Sequence, residues 1–100
     1  MKLDHVAIQV KNIQDSVAWY VSNLEADILH CDETWAMLQV GDLKLALTIA
    51  SQHPPHFAFK VDDVKKIPSP AGQHRDGSFY RYIKDPDGNV IEYVCYPETV

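Results

Sequence analysis

Apolar and polar positions alternate along the opening segment LDHVAIQV (3–10). Val6, Ile8 and Val10 share one face, and His5, Ala7 and Gln9 share the other. That period predicts a strand with one apolar face. The period then lengthens. Ile13, Val17, Tyr20, Val21 and Leu24 form one stripe of a helix predicted over about 13–23. Asn12 is a suitable N-cap, and Asp15 stands three residues later in a capping-box-like position. Segments 26–32, 35–40 and 43–50 read as strands, with Glu33-Thr34 and Gly41-Asp42 as short hairpin connections. The first half, about 1–52, is therefore predicted as β-α-β-β-β.

Pro54-Pro55 marks a break, and a second half of about 55–97 begins with the strand HFAFKV (56–61). A helix should follow if the pattern repeats, and Asp62-Asp63 is a helix-start signal. Pro68-Ser69-Pro70 leaves room for one turn at most. Residues 71–77 (AGQHRDG) read as a loop. SFYRYIK (78–84) and NVIEYVCY (89–96) read as strands joined by the turn Asp85-Pro86-Asp87-Gly88. The second half thus repeats the first with its helix cut down and its second strand eroded. A truncated helix would expose Phe57, Phe59 and Val61, so a second subunit or the 64–77 segment is expected to cover them.

One hundred residues form one domain with a small core, which favours a partner subunit. A net charge of −5 and the lack of a basic patch argue against nucleic acid. No apolar run approaches membrane-spanning length. The N-terminus has no signal-peptide core. Cys31 and Cys95 match no metal-knuckle spacing and read as reduced thiols of a cytoplasmic protein.

The candidate chemistry starts from Glu92, a carboxylate inside the apolar run NVIEYV. Burying it is costly unless it is paired or metal-bound. His5 and His56 each hold the first full position of the opening strand of a half. Equivalent positions of a repeat can converge on one cavity, and two imidazoles with a carboxylate suit a divalent first-row metal. Pairing of Glu92 with Lys60 or Arg81 is the metal-free alternative. His30 and His53 read as surface residues. His74 reads as a solvated loop residue, with acid/base or spare-ligand roles as the sharper alternative. Trp35 and Met37 share a face with Gln39 and either line a substrate pocket or pack the core. Tyr80 and Tyr82 share the Ser78 face and are pocket candidates. A tyrosine there supplies a donor near developing charge, and Tyr80 is taken as the catalytic candidate.

The segments LDHVAIQVKNIQDSVAWYVSNL, HFAFKVDD and SFYRYIKDPDGNVIEYV resemble the vicinal oxygen chelate superfamily. That superfamily includes glyoxalase I, fosfomycin thiol transferases, methylmalonyl-CoA epimerase, extradiol dioxygenases and bleomycin-resistance proteins. The resemblance covers the chain apart from 64–77. It implies an α+β fold of paired βαβββ modules forming a cupped mixed sheet around a metal. The family's ligand positions fall at His5, His56 and Glu92, and a fourth, carboxylate or Gln, falls at Ala46, which cannot bind metal. Three ligands match the thiol-transferase and dioxygenase patterns. GSFYRYIKDPDG resembles the thiol-transferase version, with Ser78 and Tyr80 at substrate-contacting positions, but Ala7 stands where those enzymes carry Thr. The implied function is a metal-dependent enzyme, using Mn, Fe, Ni, Co or Zn, that acts on a small oxygen-chelating molecule. Lyase or isomerase, transferase and dioxygenase types all remain open. The alternative is a metal-free, bleomycin-resistance-like protein that sequesters a small molecule. Members of this size are expected to be homodimers.

Overall fold

The computed structural model describes residues 1–51 and 53–97. Among them are eight strands, one α-helix and one 3-10 turn. They form two compact units, His5–Pro55 and Met1–Asp4 with the chain from His56 onward.

β1 (Lys2–Gln9), of which the part from His5 onward belongs to the first unit, leads there into α1 (Ile13–Leu24), followed by β2 (Asp27–Cys31), β3 (Trp35–Val40) and β4 (Leu43–Thr48). The strand order is β2-β3-β4-β1; β1 runs parallel to β4 and the other pairs are antiparallel. Asn12 caps the helix, its side-chain oxygen accepting from the Asp15 N–H at 2.9 Å. Glu25 ends it in the left-handed conformation, with φ of 52°. Ile13 and Val17 pack on Ala36, Leu38, Leu45 and Leu47, with Val6, Ile8 and Val10 alongside. Tyr20 joins this cluster, but Val21 and Leu24 are exposed, so the buried stripe is shorter than its periodicity suggests. The chain turns away at Glu25, and Ala26 fills the core in their place.

The second unit holds β5 (His56–Lys60), the 3-10 turn Val64–Lys66, β6 (Gly72–Gln73), β7 (Phe79–Lys84) and β8 (Val90–Cys95). Its order, β5-β8-β7-β6, is the first unit's pattern read in reverse, again with one parallel pair, β5 with β8. The single helical turn agrees with the prolines. Segment 71–77 is not wholly loop: Gly72 and Gln73 pair with Tyr80 and Phe79. The eroded second strand therefore survives as two residues, too few to show a period. Ile67, just after the 3-10 turn, packs on Val61, Cys95 and Tyr93. Val61 is thereby covered by segment 64–77 of its own chain, one of the two covers expected, while Phe57 remains exposed. The Tyr96 hydroxyl donates to Asp4 at 2.6 Å and ties the first residues into this unit. Burial, and then that bond, push the Tyr96 phenol well above its usual range.

Candidate metal centre

The repeat is legible in the strand registers. On the parallel pair of the first unit Ala7 faces Ala46, and on that of the second Ala58 faces Glu92. On the antiparallel side Met37 faces Ala46 and Tyr82 faces Glu92. Ala46 and Glu92 are thus equivalent positions, and only the second unit has a carboxylate there. His5 and His56 likewise stand two residues before Ala7 and Ala58.

The DPDG turn sets the register that carries Glu92. Asp85 accepts from the N–H groups of Asp87 and Asn89 at 2.9 and 2.8 Å, and from the Asn89 side-chain amide at 2.8 Å. The Asn89 bonds chiefly hold the Asp85 carboxyl below its usual range. Gly88 has φ of 86°, a conformation that favours glycine. From this turn β8 places Glu92 between Ala58 and Tyr82. Ala58 is fully buried.

Glu92 is 3% exposed and His56 7%. Oε1 of Glu92 lies 3.2 Å from Nε2 of His56, and Oε2 lies 2.9 Å from Nε2 of His74. The expected alternatives for pairing lie elsewhere: the Arg81 guanidinium donates to the Pro70 carbonyl, and the Lys60 ammonium sits 6.0 Å from the Tyr96 ring centre. The His56 ring meets Tyr82 edge-to-face at 5.2 Å, and Tyr82 meets Tyr80 at 5.4 Å. Burial first, and then the charge of Glu92, raise the Tyr82 phenol well above its ordinary range. Tyr82 therefore stays a neutral phenol at physiological pH.

The His56–Glu92 pair fits a divalent ion. Two donors 3.2 Å apart, each about 2.1 Å from one ion, subtend roughly 100° at it, between octahedral and tetrahedral values. Imidazole nitrogen and carboxylate oxygen are also the donor types such ions take.

Tyr80 stacks on His74, with ring centres 3.8 Å apart and planes 9° from parallel. It also lies across Gly72, where a Cβ would fall 2.9 Å from its ring carbons. The Ser78 hydroxyl and N–H donate to Asp76 at 2.6 and 2.8 Å, and the His74 N–H donates to the Ser78 carbonyl at 2.8 Å. Ser78 thus holds the turn that carries His74. The structure brings together His56, Glu92, Ser78, Tyr80 and Tyr82 and adds His74 from a segment read as solvated loop. The available signal was Asp76-x-Ser78, a turn-forming spacing directly before a strand. His5, Trp35 and Met37 lie on strands of the first unit. There His5 pairs in register with Lys44, and Trp35 stacks on His30 at 4.0 Å. A cavity of about 510 Å³ opens beside the 3-10 turn, lined by Asp63, Val64, Phe79, Cys95 and Tyr96 among others, and His56, His74 and Glu92 are not among its lining residues.

Several solved structures share the fold over nearly the whole chain. A hypothetical protein from Bacillus halodurans C-125 is 19% identical, with a TM-score of 0.77, covering 99% of this chain and 96% of its own. Methylmalonyl-CoA epimerase from Mycobacterium tuberculosis is 20% identical, with a TM-score of 0.73, covering 97% and 89%. A single-residue variant of the Streptomyces coelicolor epimerase, in complex with 2-nitronate-propionyl-CoA, is 18% identical, with a TM-score of 0.74, covering 98% and 99%. No curated protein matches the sequence. The model of one family matches residues 2–93, and the chain belongs to that family, the Glyoxalase/Bleomycin resistance protein/Dioxygenase superfamily.

Proposed function

We propose that this protein is a metal-dependent enzyme that acts on a small oxygen-chelating molecule. His5, His56 and Glu92 are its ligands to one divalent ion, of Mn, Fe, Ni, Co or Zn. The observation that carries this reading is the buried Glu92 carboxylate against the buried His56 imidazole at a two-ligand spacing. His5 is the third ligand of this reading. It holds in its own half the position that His56 holds in the second. When bound, the ion supplies Lewis-acid polarisation of substrate oxygens.

The chain's own residues do the rest. Tyr80 is the proposed catalytic residue, offering a hydroxyl donor to developing negative charge. Tyr82, a neutral phenol, offers a second donor and walls His56. Trp35, Met37 and Ser78 complete the proposed substrate contacts, with Ser78 acting through the turn it holds. Among the described residues no helix is long and apolar enough to cross a membrane. With neither Cys31 nor Cys95 in a disulfide, the reading includes a cytoplasmic, homodimeric protein with a small-molecule substrate and no nucleic-acid partner.

A second reading is a metal-free module that sequesters a small molecule, as bleomycin-resistance proteins do. It is favoured by the fact that each Glu92 oxygen already has an imidazole within hydrogen-bonding distance. Metal analysis of freshly purified protein separates the two. A near-stoichiometric first-row metal supports the enzyme, and protein that stays metal-free after incubation with each candidate ion supports the module.

A further inference from the structure

We infer that His74 is a positioning residue for the metal centre, fixing Glu92 so that one chosen oxygen faces the ion. The inference rests on the metal reading above. The two oxygens of Glu92 are held differently. Oε1 lies 3.2 Å from His56, a spacing that suits two ligands of one ion. Oε2 lies 2.9 Å from Nε2 of His74, the length of a charge-assisted hydrogen bond. That bond requires the proton on Nε2 of His74, whereas His56 must present an unprotonated Nε2 to a metal. The two imidazoles therefore take opposite roles at one carboxylate, donor at Oε2 and co-ligand at Oε1. Ligating carboxylates are commonly held by such a bond, which fixes their orientation.

The segment around His74 is built to hold it. Its ring stacks on Tyr80, and Tyr80 in turn fits over the bare backbone of Gly72. Its backbone N–H donates to Ser78, its carbonyl accepts from the Gly77 N–H at 3.0 Å, and Asp76 clamps Ser78. A two-residue strand, a stacked tyrosine and a clamped turn thus converge on one imidazole whose ring nitrogen meets the buried carboxylate. A histidine that only filled surface would need none of this.

The test uses Co²⁺ as the probe, with calorimetry for affinity and d–d absorption for the ligand set. His74→Phe keeps a ring to stack on Tyr80 but removes the donor, and His74→Gln restores an N–H at similar reach. Wild type should bind one Co²⁺ per chain. His74→Phe should bind at least about tenfold more weakly, and His74→Gln should recover most of the loss. At saturating Co²⁺ the absorption intensity of His74→Phe should match wild type, because the ligand atoms are unchanged. Equal affinity in wild type and His74→Phe overturns the inference and leaves the metal reading standing. A severalfold change in absorption intensity makes His74 a ligand and also overturns it. No binding by folded wild type overturns the metal reading and this inference together.

Discussion

Glu92 faces two imidazoles inside the second unit, and its chemistry follows from that environment. A buried carboxylate carries a desolvation cost that hydrogen bonds only partly offset. In the metal-free protein Glu92→Gln should therefore change stability by no more than about 1.5 kcal/mol in either direction, since an amide keeps the shape and much of the bonding while removing the buried charge. The metal-bound protein should behave differently. Ion at a hundredfold excess over its Kd adds about 2.7 kcal/mol to wild type, and Glu92→Gln should gain almost none. Thermal melts with and without Mn²⁺ measure both quantities. An equal rise in the two proteins would show that the ion binds elsewhere. At this scale much was legible in advance. A carboxylate within NVIEYV announces itself, and the blank at Ala46 came with the family resemblance. His74 was hidden because its place depends on the pairing of Gly72 with Tyr80, which no local period records.

The hairpin from Gly72 to Phe79 is the element on which the centre leans. Gly72→Ala would set a Cβ 2.9 Å from the Tyr80 ring, so the ring, stacked on His74, would have to shift. Overpacking of this kind costs about 1–3 kcal/mol. Chemical denaturation should show that loss, and one well below 1 kcal/mol would mean the stack is loose. Asp76 gives the hairpin a pH dependence. Bonds from Ser78, side chain first and then backbone, hold its carboxyl below the usual carboxylate range. A depressed folded pKa stabilises above the unfolded value and loses that contribution as pH falls through the folded one. The clamp is thus complete at neutral pH and fails only below about pH 4. Asp76→Asn should accordingly lower stability at pH 7, with the difference from wild type shrinking as pH falls through the acid range. A difference constant across that range would contradict the clamp. Strand and helix positions were legible from periodicity to within a residue or two at most ends. The helical stripe ran too long because Glu25 redirects the chain, and β6 was missed because two residues carry no pattern.

At the scale of the whole molecule, several large apolar side chains among the described residues stand in water. Trp19, Leu24, Ile28 and Leu29 are exposed in the first unit, and Phe57 and Phe79 in the second. A homodimer of the proposed kind would bury some of these groups, and a two-fold dimer is the commonest closed assembly. Sedimentation at micromolar concentration should give a homodimer, and a monomer would remove that part of the account. The family and the repeated strand order were legible from three sequence segments. Which of the two expected covers lies over Val61 was not, because Ile67 sits in a segment with no resemblance to draw on. The central claim is that His56 and Glu92, with His5, hold one divalent ion. Titration calorimetry of Mn²⁺ or Zn²⁺ into metal-stripped wild type and His56→Ala tests it most directly. Wild type should bind one ion per chain and His56→Ala should lose most of the affinity, whereas equal binding by the two proteins would contradict the assignment.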